Sequence, residues 1–555
     1  MAADTHKLRP YRNPILTGFN PDPSWARKGN DIFLITSSFE YFPGIPIYHS
    51  TDLISWRLVG HALTRRPQLD LRTCEPGGGI WASTIRHKNG RWYICTCKWD
   101  RYRPQADDRV WPRGFFVWTD NIWDSSSWSD PIYFDQPGFD QDLFWDDDGS
   151  VYLSTTYRMH EDDVSYRREF PKNFAIHISR VDLGSGASLT PPKMIRSSSV
   201  SPGVSEGSHI FKYGHFYFLL TAEGGTESGH TEWCFRSTHG PFGPWEERPG
   251  SEGQPLWYNN GTERVQCTGH ADVLEDANGH WWAVLLGVRP VTIADGRLQT
   301  FSPFGRETYL VPVTWEDNWP VFNHRRNVSL EGVPSPGTYE LSINQDWEDT
   351  FSGPELELGW YHNKTPLKRY WSFSSGGLEL MGGSYPPGSA ENSSMLLRKQ
   401  SDLEGVFSTE MDFNRSNPRW EAGAILWHHE YCYATIGLRR PSPDRRELVV
   451  TTPVDGKGNF KTTRRDLVHS SGALLFSILC NARGYKIGFR EFESNEDLEY
   501  VAQINMATMT QGPLVGMAFC GIMLGIYSFG DMEPVLQPAI FRYAKWRSMS
   551  GQIET

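Results

Sequence analysis

One pattern of polar and apolar positions recurs five times in the first 290 residues: a Gly or Asn turn followed by a short, aromatic, largely apolar strand. The copies read NDIFLITSS from Asn30, GRWYICTCK from Gly90, GSVYLSTTY from Gly149, GHFYFLLTA from Gly214 and GHWWAVLLG from Gly279. Their starts are 60, 59, 65 and 65 residues apart. Each copy fits a hairpin with a tight turn, and further strand signals fill the intervals. Sheets of about four strands repeated in this way predict a five-bladed β-propeller.

The repeat also brings five side chains into register near the start of one strand per copy. Counting back 8 or 9 residues from each turn leads to Asp22, Trp81, Asp140, Glu206 and His270. If that strand is the innermost of its blade, all five side chains converge around the propeller axis. Acids commonly precede strands as turn residues. Three carboxylates in register nevertheless indicate a functional site.

Carboxylates that share a pocket repel one another, so at least one of them should have a raised pKa and stay protonated near neutrality. A protonated acid and an ionised base facing one bond are the groups that hydrolyse a glycosidic linkage. The sequence contains no H-E-x-x-H zinc motif, no Walker loop and no nucleotide-binding glycine fingerprint. The three acids therefore favour glycoside hydrolysis.

Composition and charge agree with an all-β enzyme. The chain has 23 Trp, 23 Tyr, 30 Phe, 52 Gly and 37 Pro, which suits strands joined by frequent turns. The net charge of −12 argues against nucleic acid and anionic membranes as partners. No apolar run approaches the roughly 18 residues that span a bilayer. The first residues, MAADTHKLRPYRNP, lack the apolar stretch of a signal peptide.

Sequons and cysteines bear on localisation and redox state. Five N-x-S/T sequons occur, and they favour a secreted chain, with a cytosolic chain as the alternative. Eight cysteines in 555 residues do not form a disulfide framework, and Cys95 and Cys97 alternate as buried strand thiols would. The oligomeric state does not follow from the sequence.

The second half of the chain has a different pattern. The repeat stops after TWEDNWPVFN, and EGVPSPGTYE, rich in Pro and Gly, begins a linker. New strand signals such as GLELMG and FSTEMDF follow, without a catalytic constellation, and they predict a β-sandwich. We therefore expect a catalytic propeller over 1–330, a linker over 331–344 and an accessory sandwich over 345–555. The sandwich is expected to brace the propeller and close one side of its pocket, with carbohydrate binding as the alternative.

The quoted motifs, taken together and in order, resemble those of glycoside hydrolase family 43. The resemblance rests on NPDPS, SSFEYFPGIPIYHS, GGIWAS, FDQDLFWDDDG, SEGSHIFK, TGHADV and FGRETYLVPV. It extends to members with a C-terminal β-sandwich, such as β-xylosidases and the fungal arabinofuranosidases that act on arabinoxylan. The resemblance implies hydrolysis with inversion in a pocket on the propeller axis. It implies that Asp22 is the general base, Glu206 the general acid, and Asp140 a third acid that orients the general acid and keeps its pKa high.

Other roles are implied by the same resemblance. Phe39 and Trp81 match aromatic walls of the sugar pocket. Arg306 in FGRET matches an arginine that binds a sugar hydroxyl, with a structural ion pair as the alternative. Arg289 in GVRP is a further candidate, with a structural role as its alternative. His270 matches a histidine near a metal or water in the central channel, so no cofactor is required but Ca²⁺ is a candidate there.

A polar insertion after the third repeat, TYRMHEDDVSYRREFPKNFAI over 156–176, should lie near the pocket rim. Tyr166 within it, and Trp99, are candidates for contacting a polymer outside the pocket, with ordinary loop packing as the alternative.

The first functional hypothesis is an inverting, exo-acting α-L-arabinofuranosidase that removes arabinose side chains from arabinoxylan, including those on doubly substituted xylose. A β-D-xylosidase acting on xylo-oligosaccharides, or a bifunctional enzyme, is the alternative within the same class. A non-catalytic propeller lectin is the hypothesis from another class, but sugar binding alone does not need an acid, a base and a third carboxylate.

Overall fold

The computed structural model describes residues 10–100, 112–159, 173–201, 203–259, 262–291, 302–332, 345–492, 497–512 and 519–549. Nearly all regular structure in these ranges is β. The helical elements among them are a 3-10 turn, Asn323–Arg325, and one short α-helix, Met506–Met509. No helix in the described part of the chain has the length and apolarity that crossing a membrane requires. The expected all-β class is confirmed.

The described residues of the first domain form five consecutive antiparallel sheets of three or four strands, in which neighbours along each list are paired. Sheet 1 comprises Ser24–Lys28, Asp31–Ile35, Gly44–Ser50 and Arg57–Leu63. Sheet 2 comprises Gly79–Lys88, Arg91–Trp99, Arg113–Thr119 and Ile132–Tyr133. Sheet 3 comprises Phe139–Trp145, Val151–Arg158, Phe174–Arg180 and Lys193–Ser197. Sheet 4 comprises Ser205–Tyr213, Phe216–Glu223 and Thr231–Ser237, and sheet 5 comprises Gln266–Glu275, Trp281–Val288, Arg306–Glu316 and Trp319–Phe322.

The five sheets form a closed ring. The first strand of each sheet contacts the first strand of the next, and the first strand of sheet 5 contacts that of sheet 1. These five inner strands therefore surround the axis. The short strand Tyr11–Arg12 pairs with Glu331–Gly332, and Ile15 donates its backbone N–H to Thr308 in sheet 5 (2.9 Å), so both ends of the domain meet at one sheet.

The predicted hairpins are present at the recurring turns. Lys88 pairs with Arg91 across Asn89 and Gly90, whose φ values are 55° and 81°. Two consecutive residues with positive φ are typical of a two-residue hairpin turn whose twist matches that of the strands. The Asn-Gly sequence at this turn thus has a direct conformational reason.

The second domain is a sandwich of two antiparallel sheets. One contains Trp347–Asp349, Trp371–Ser374, Gly377–Leu380, Gly405–Asp412, Leu474–Asn481, Gly484–Glu491, Glu499–Asn505 and Ala539–Ser548. The other contains Met395–Lys399, Asn417–His429, Cys432–Ser442, Arg445–Pro453, Phe460–Asp466 and Met523–Phe529. Buried side chains from both, among them Phe407, Leu426, Phe476 and Trp546, form one core. The predicted sandwich is confirmed.

The two domains share an apolar interface. Phe19, Phe39 and Tyr41 of the propeller pack in one buried cluster with Tyr361, Leu397, Ile425, Trp427, Met523 and Tyr527 of the sandwich. A two-stranded sheet, Tyr41–Phe42 with His362–Asn363, crosses the same boundary. Of the predicted linker 331–344, the first two residues are in the strand Glu331–Gly332, and 333–344 lies outside the described residues. The domain boundaries themselves stay a prediction.

Candidate active site

A pocket lies where the inner strands begin, at one end of the ring. The residues that line it come from all five sheets, their loops and the sandwich: Asp22, Phe39, Trp81, Ala82, Phe139, Asp140, Glu206, Thr226, His270, Arg306 and Phe519. The three acids predicted from the repeat are therefore neighbours in one cavity. So are four of the residues expected to surround a sugar, namely Phe39, Trp81, His270 and Arg306.

Four of the five inner strands carry the same irregularity at this point. In sheets 2 to 5 the pairing register shifts between Trp81 and Thr84, Phe139 and Asp142, Glu206 and His209, and Gly269 and Asp272. The first residue inside each shift has a positive φ, as does its counterpart in sheet 1; these residues are Asp22, Ala82, Asp140, Gly207 and His270, with φ of 51°, 31°, 53°, 59° and 58°. A β-bulge of this kind bends the strand and re-aims the side chains beside it.

The structure corrects the predicted register by one residue in two of the five copies. Asp22, Asp140 and His270 are the left-handed residues of their strands, but Trp81 and Glu206 each precede the left-handed residue. Counting back from the turns placed all five at one position, whereas the structure divides them between two adjacent positions. Both positions supply residues to the pocket, which is why the predicted set still converges.

The carboxylate of Asp22 is held by a cation. Arg306 donates from Nη1 to Oδ1 of Asp22 (3.1 Å) and to the hydroxyl of Thr226 (2.9 Å). The Asp22 side chain is only 5% exposed, so the pair is well shielded from solvent. The guanidinium also lies over the rings of Phe39 and Phe519, at 5.3 and 4.9 Å. The ion pair of Arg306 is thus part of the pocket itself, and it directs the candidate base.

Asp140 is the carboxyl that carries the expected raised pKa. Burial raises the pKa of Asp140 well above its ordinary value, and the nearby charges of Glu206 and Asp22 raise it further. Its Oδ2 accepts a hydrogen bond from the backbone N–H of Gly207 (3.0 Å). Since Gly207 directly follows Glu206, this bond ties Asp140 to the backbone of the candidate acid.

Comparison with known protein families agrees with this arrangement. The model described as "Glycosyl hydrolases family 43" matches residues 11–320. A second, described as "Beta xylosidase C-terminal Concanavalin A-like domain", matches residues 348–547. The chain belongs to glycosyl hydrolase family 43. The resemblance read from the motifs and the propeller-plus-sandwich fold are both confirmed, and the protein is a glycosidase.

Relatives of this family-43 hydrolase align over nearly its whole length. The "Non-reducing end alpha-L-arabinofuranosidase BoGH43B" of Bacteroides ovatus is 30% identical, covering 97% of this chain and 95% of the relative. The "Xylosidase/arabinosidase 43B" of Humicola insolens is 28% identical, covering 97% of each chain. A solved structure, the xylan beta-1,4-xylosidase from Bacillus halodurans C-125, superposes with a TM-score of 0.85 at 26% identity, covering 97% of this chain and 100% of that one.

His270 is a neutral imidazole in the family-43 pocket. Burial lowers the pKa of His270 to about 3, and its Nδ1 lies 3.8 Å from Oδ1 of Asp22. Deeper in the channel, Arg86 donates to Asp272 (2.8 Å) and Asp142 (3.0 Å), so a guanidinium already pairs with the carboxylates there. Among the described residues, no three or more His, Cys, Asp or Glu side chains are arranged to hold a metal ion. Ca²⁺ in the central channel stays a prediction.

Two of the remaining candidates of the family-43 hydrolase lie outside the pocket lining. Trp99 stacks flat on Trp81, with ring centroids 4.0 Å apart, and so supports the pocket wall from outside the lining. Arg289 is absent from the pocket lining. Its guanidinium instead donates two hydrogen bonds to Glu307 (2.9 and 3.0 Å). The structural alternative for Arg289 therefore agrees with its contacts. Tyr166 lies outside the described residues.

Sequence reasoning missed several lining residues. Phe139 holds the same bulge position as Trp81 and Glu206, so an exact register would have found it. Thr226 lies in the loop after the second strand of sheet 4, and its bond to Arg306 has no signal in the sequence. Phe519 comes from the sandwich, about 200 residues beyond the repeat, and only the packing of the two domains brings it to the pocket.

The stretch Gly203–Gly207, G-V-S-E-G, has the spacing of the nucleophile elbow of serine hydrolases. Ser205 is fully buried, however, and its hydroxyl donates to Oε1 of Glu223 (3.4 Å), which also pairs with Arg196 (2.7 Å). A buried hydroxyl in this cluster cannot reach a substrate. It is Glu206, the next residue, that lines the pocket.

We expect Asp140→Asn to raise the stability of the family-43 hydrolase at pH 7 by a few degrees in Tm, while its activity falls. The folded chain holds the Asp140 proton more tightly than the unfolded chain, so stability is lost as the pH rises above the ordinary pKa of 3.8. An amide avoids that loss and still accepts from Gly207. Thermal unfolding at pH 7 and pH 4 should show the larger gain at pH 7. Equal gains, or a similar gain in the exposed control Asp120→Asn, would contradict the assignment.

Proposed function

We propose that this hydrolase is an inverting, exo-acting α-L-arabinofuranosidase that releases arabinose side chains from arabinoxylan, including those on doubly substituted xylose. The observation that carries the proposal is the pocket itself, in which three carboxyl groups meet under aromatic walls. A pocket closed on one side by Phe519 of the sandwich suits a single terminal sugar better than the interior of a polymer. The named activity of the Bacteroides relative supports arabinose as that sugar.

In the proposed mechanism, Glu206 and Asp22 act on opposite sides of the anomeric carbon. Glu206 donates its proton to the glycosidic oxygen as the bond to the anomeric carbon breaks. Asp22 accepts a proton from the water that attacks from the other face, so the released sugar has the inverted configuration. Inverting enzymes place these two carboxyls roughly 6.5–9.5 Å apart, and we expect such a separation here.

The remaining pocket residues prepare these two groups. Arg306 fixes the direction of the Asp22 carboxylate through its 3.1 Å bond, so the base is oriented before substrate arrives. Asp140, through Gly207, holds the backbone beside Glu206 in place. The aromatic walls exclude bulk water, which strengthens the electrostatic effects inside the pocket.

A β-D-xylosidase is the second candidate. The Humicola relative is named for both activities, and the Bacillus halodurans structure for xylosidase activity alone. Terminal xylose and terminal arabinofuranose present similar hydroxyl groups to such a pocket. The preference for arabinose therefore needs a direct test.

Product identification should decide between the two sugars. Incubation with wheat arabinoxylan should release arabinose, and incubation with xylobiose should release little xylose, as measured by anion-exchange chromatography. Proton NMR at early times should show the released sugar with inverted anomeric configuration. Xylose as the sole product would overturn the arabinofuranosidase proposal, and retained configuration would overturn the roles of Asp22 and Glu206.

The same assay separates an enzyme from a lectin. Glu206→Gln should abolish sugar release while still binding the sugar. If the wild-type chain binds arabinoxylan but releases no sugar from either substrate, the lectin hypothesis replaces the enzyme.

A further inference from the structure

A buried carboxyl group lies directly behind the pocket walls, at the boundary between propeller and sandwich. Glu40 is only 4% exposed and follows Phe39, which lines the pocket. It does not itself line the cavity, and the proposed mechanism assigns it no chemistry. Burying a carboxyl group at a domain boundary costs free energy that a well-packed apolar side chain would not cost. Its contacts therefore need an explanation other than stability alone.

One oxygen of Glu40 reaches both neighbouring walls. Oε2 accepts from the backbone N–H of Gly77 (3.1 Å) and from the thiol of Cys520 (3.4 Å). The carbonyl of Gly77 in turn accepts from the indole N–H of Trp81 (2.8 Å). Cys520 directly follows Phe519 in the chain. Glu40 is thus connected to three pocket walls. It is bonded to Phe39 along the chain, and it reaches Phe519 through its hydrogen bond with the next residue, Cys520. It reaches Trp81 through Gly77, which hydrogen-bonds both residues.

Three of the four aromatic walls contact one another in front of Glu40. The ring centroids of Phe39 and Phe519 are 5.5 Å apart, those of Trp81 and Phe519 are 5.5 Å apart, and those of Phe39 and Trp81 are 6.1 Å apart. Rings in such a triangle can slide or tilt unless their backbones are fixed. Phe519 in particular arrives from another domain, so its position depends on how the sandwich docks.

The backbone at Phe39 is already constrained. Phe39 has a φ of 47° and exchanges two backbone hydrogen bonds with Ile80 (2.9 and 3.1 Å). The carbonyl of Glu40 also accepts from the backbone N–H of Lys364 in the sandwich (2.7 Å). Glu40 therefore bonds the sandwich through both its main chain and its side chain. Burial raises the pKa of Glu40 to about 7, and the bonds from Cys520 and Gly77 oppose that rise.

We propose that Glu40 is a positioning residue that couples docking of the sandwich to the shape of the sugar pocket. By holding Gly77 and Cys520 with one oxygen, it sets Trp81 and Phe519 against Phe39. The inference deepens the proposed function, since it assumes that the cavity binds a sugar, but it holds for either arabinose or xylose. Loss of the Glu40 oxygen should loosen the walls and weaken sugar binding before it affects the acid and the base.

The test compares two substitutions at this position. Glu40→Ala removes the acceptor oxygen, whereas Glu40→Gln keeps an acceptor for Gly77 and Cys520. We expect Glu40→Ala to raise KM for 4-nitrophenyl arabinofuranoside or xyloside about tenfold, or 1.4 kcal/mol, with a much smaller change in kcat. Glu40→Gln should restore KM to within about threefold of wild type, or roughly 0.7 kcal/mol.

A matched control separates positioning from general weakening of the domain boundary. Thr365→Val removes two boundary hydrogen bonds, from Leu71 (3.0 Å) and to Leu69 (2.8 Å), that do not touch the pocket. It should lower Tm and leave KM unchanged. If Thr365→Val raises KM as much as Glu40→Ala for a comparable loss of Tm, the positioning role is refuted.

The coupling to Phe519 has its own measurement. Phe519→Ala should also raise KM, and the double variant with Glu40→Ala should raise it by much less than the product of the two single effects. If the KM of the double variant rises by the full product of the two single effects, Glu40 does not act through Phe519. Should Glu40→Ala not fold, Cys520→Ala and Cys520→Ser replace it, with serine expected to rescue because it keeps a donor to Glu40.

Calorimetric titration of arabinose and xylose into each variant keeps this test independent of catalysis. If the wild-type chain binds a sugar but hydrolyses nothing, the proposed function fails while the positioning role is still measured as weaker binding in Glu40→Ala. If Glu40→Ala binds the sugar as tightly as wild type, the positioning role fails whatever the activity.

Discussion

Glu206→Gln should lower kcat on arabinoxylan oligosaccharides by roughly 10³-fold or more, which is within the range for loss of a general acid. Glutamine matches the size of glutamate but has no proton to give to the leaving oxygen. The loss should be much smaller on 2,4-dinitrophenyl glycosides, because that leaving group departs without protonation. Initial rates on both substrates measure the difference, and circular dichroism checks that the fold is unchanged.

Glu232→Gln is the matched control for this variant. Glu232 is a fully buried carboxyl in the same sheet, accepts from the backbone N–H of Ala271 (3.1 Å) and does not line the pocket. Its activity should stay near that of wild type. Equal losses for Glu206→Gln on good and poor leaving groups would show that Glu206 is not the proton donor.

Asp22→Asn should lower kcat by roughly 10³-fold or more on every substrate, whatever the leaving group, since loss of a general base typically costs 10²–10⁴-fold. The asparagine oxygen can still accept from Arg306, so the pocket should keep its shape while water loses its proton acceptor. The uniform loss distinguishes a base from an acid. Rates on dinitrophenyl and xylan-derived substrates, measured side by side, provide the comparison.

Thr226→Val serves as the control for Asp22. It removes the hydroxyl that shares Arg306 with Asp22 but leaves the carboxylate in place. The kcat of Thr226→Val should fall by less than about tenfold, or 1.4 kcal/mol. A pentosyl adduct of the wild-type protein, detected by intact mass during turnover of a dinitrophenyl substrate, would indicate a covalent intermediate and contradict the base role of Asp22.

The hairpin repeat could be predicted because its signals are local. A turn such as Asn89–Gly90 needs two positive φ values, and the residues that accept them are identifiable in the sequence. Strands on either side alternate or run apolar, so their positions followed from spacing. The same counting predicts three acids, one tryptophan and one histidine at the axis.

The one-residue error at Trp81 and Glu206 has a physical cause. The hairpin turns differ in length: two residues separate Lys88 from Arg91, whereas five separate Trp145 from Val151, so one count back from the turn does not reach the same position in every sheet. A glycine indicates the left-handed position in the sequence, because it adopts a positive φ readily. Gly207 is such a glycine, and a Cβ there would lie only 3.0 Å from the ring of His270. In the other four sheets the position is held by Asp, Ala or His, which carry no such mark.

Contacts between distant segments were beyond sequence reasoning. Arg306 and Asp22 are 284 residues apart and meet only when sheet 5 closes the ring beside sheet 1. The bond between Glu40 and Cys520 spans 480 residues and depends on the docking of a second domain. Nothing in either local sequence states the identity of its partner.

The sequence by itself determined the all-β class, the repeating hairpins, the change of pattern in the second half and the acids at the axis. These depend on backbone preferences and on the alternation of side chains, which act over a few residues. Only the tertiary structure decided which carboxyl is paired with Arg306, which has its pKa raised by burial, and which aromatic ring closes the pocket. Those properties depend on distance and solvent exclusion, and both arise only when segments hundreds of residues apart are packed together.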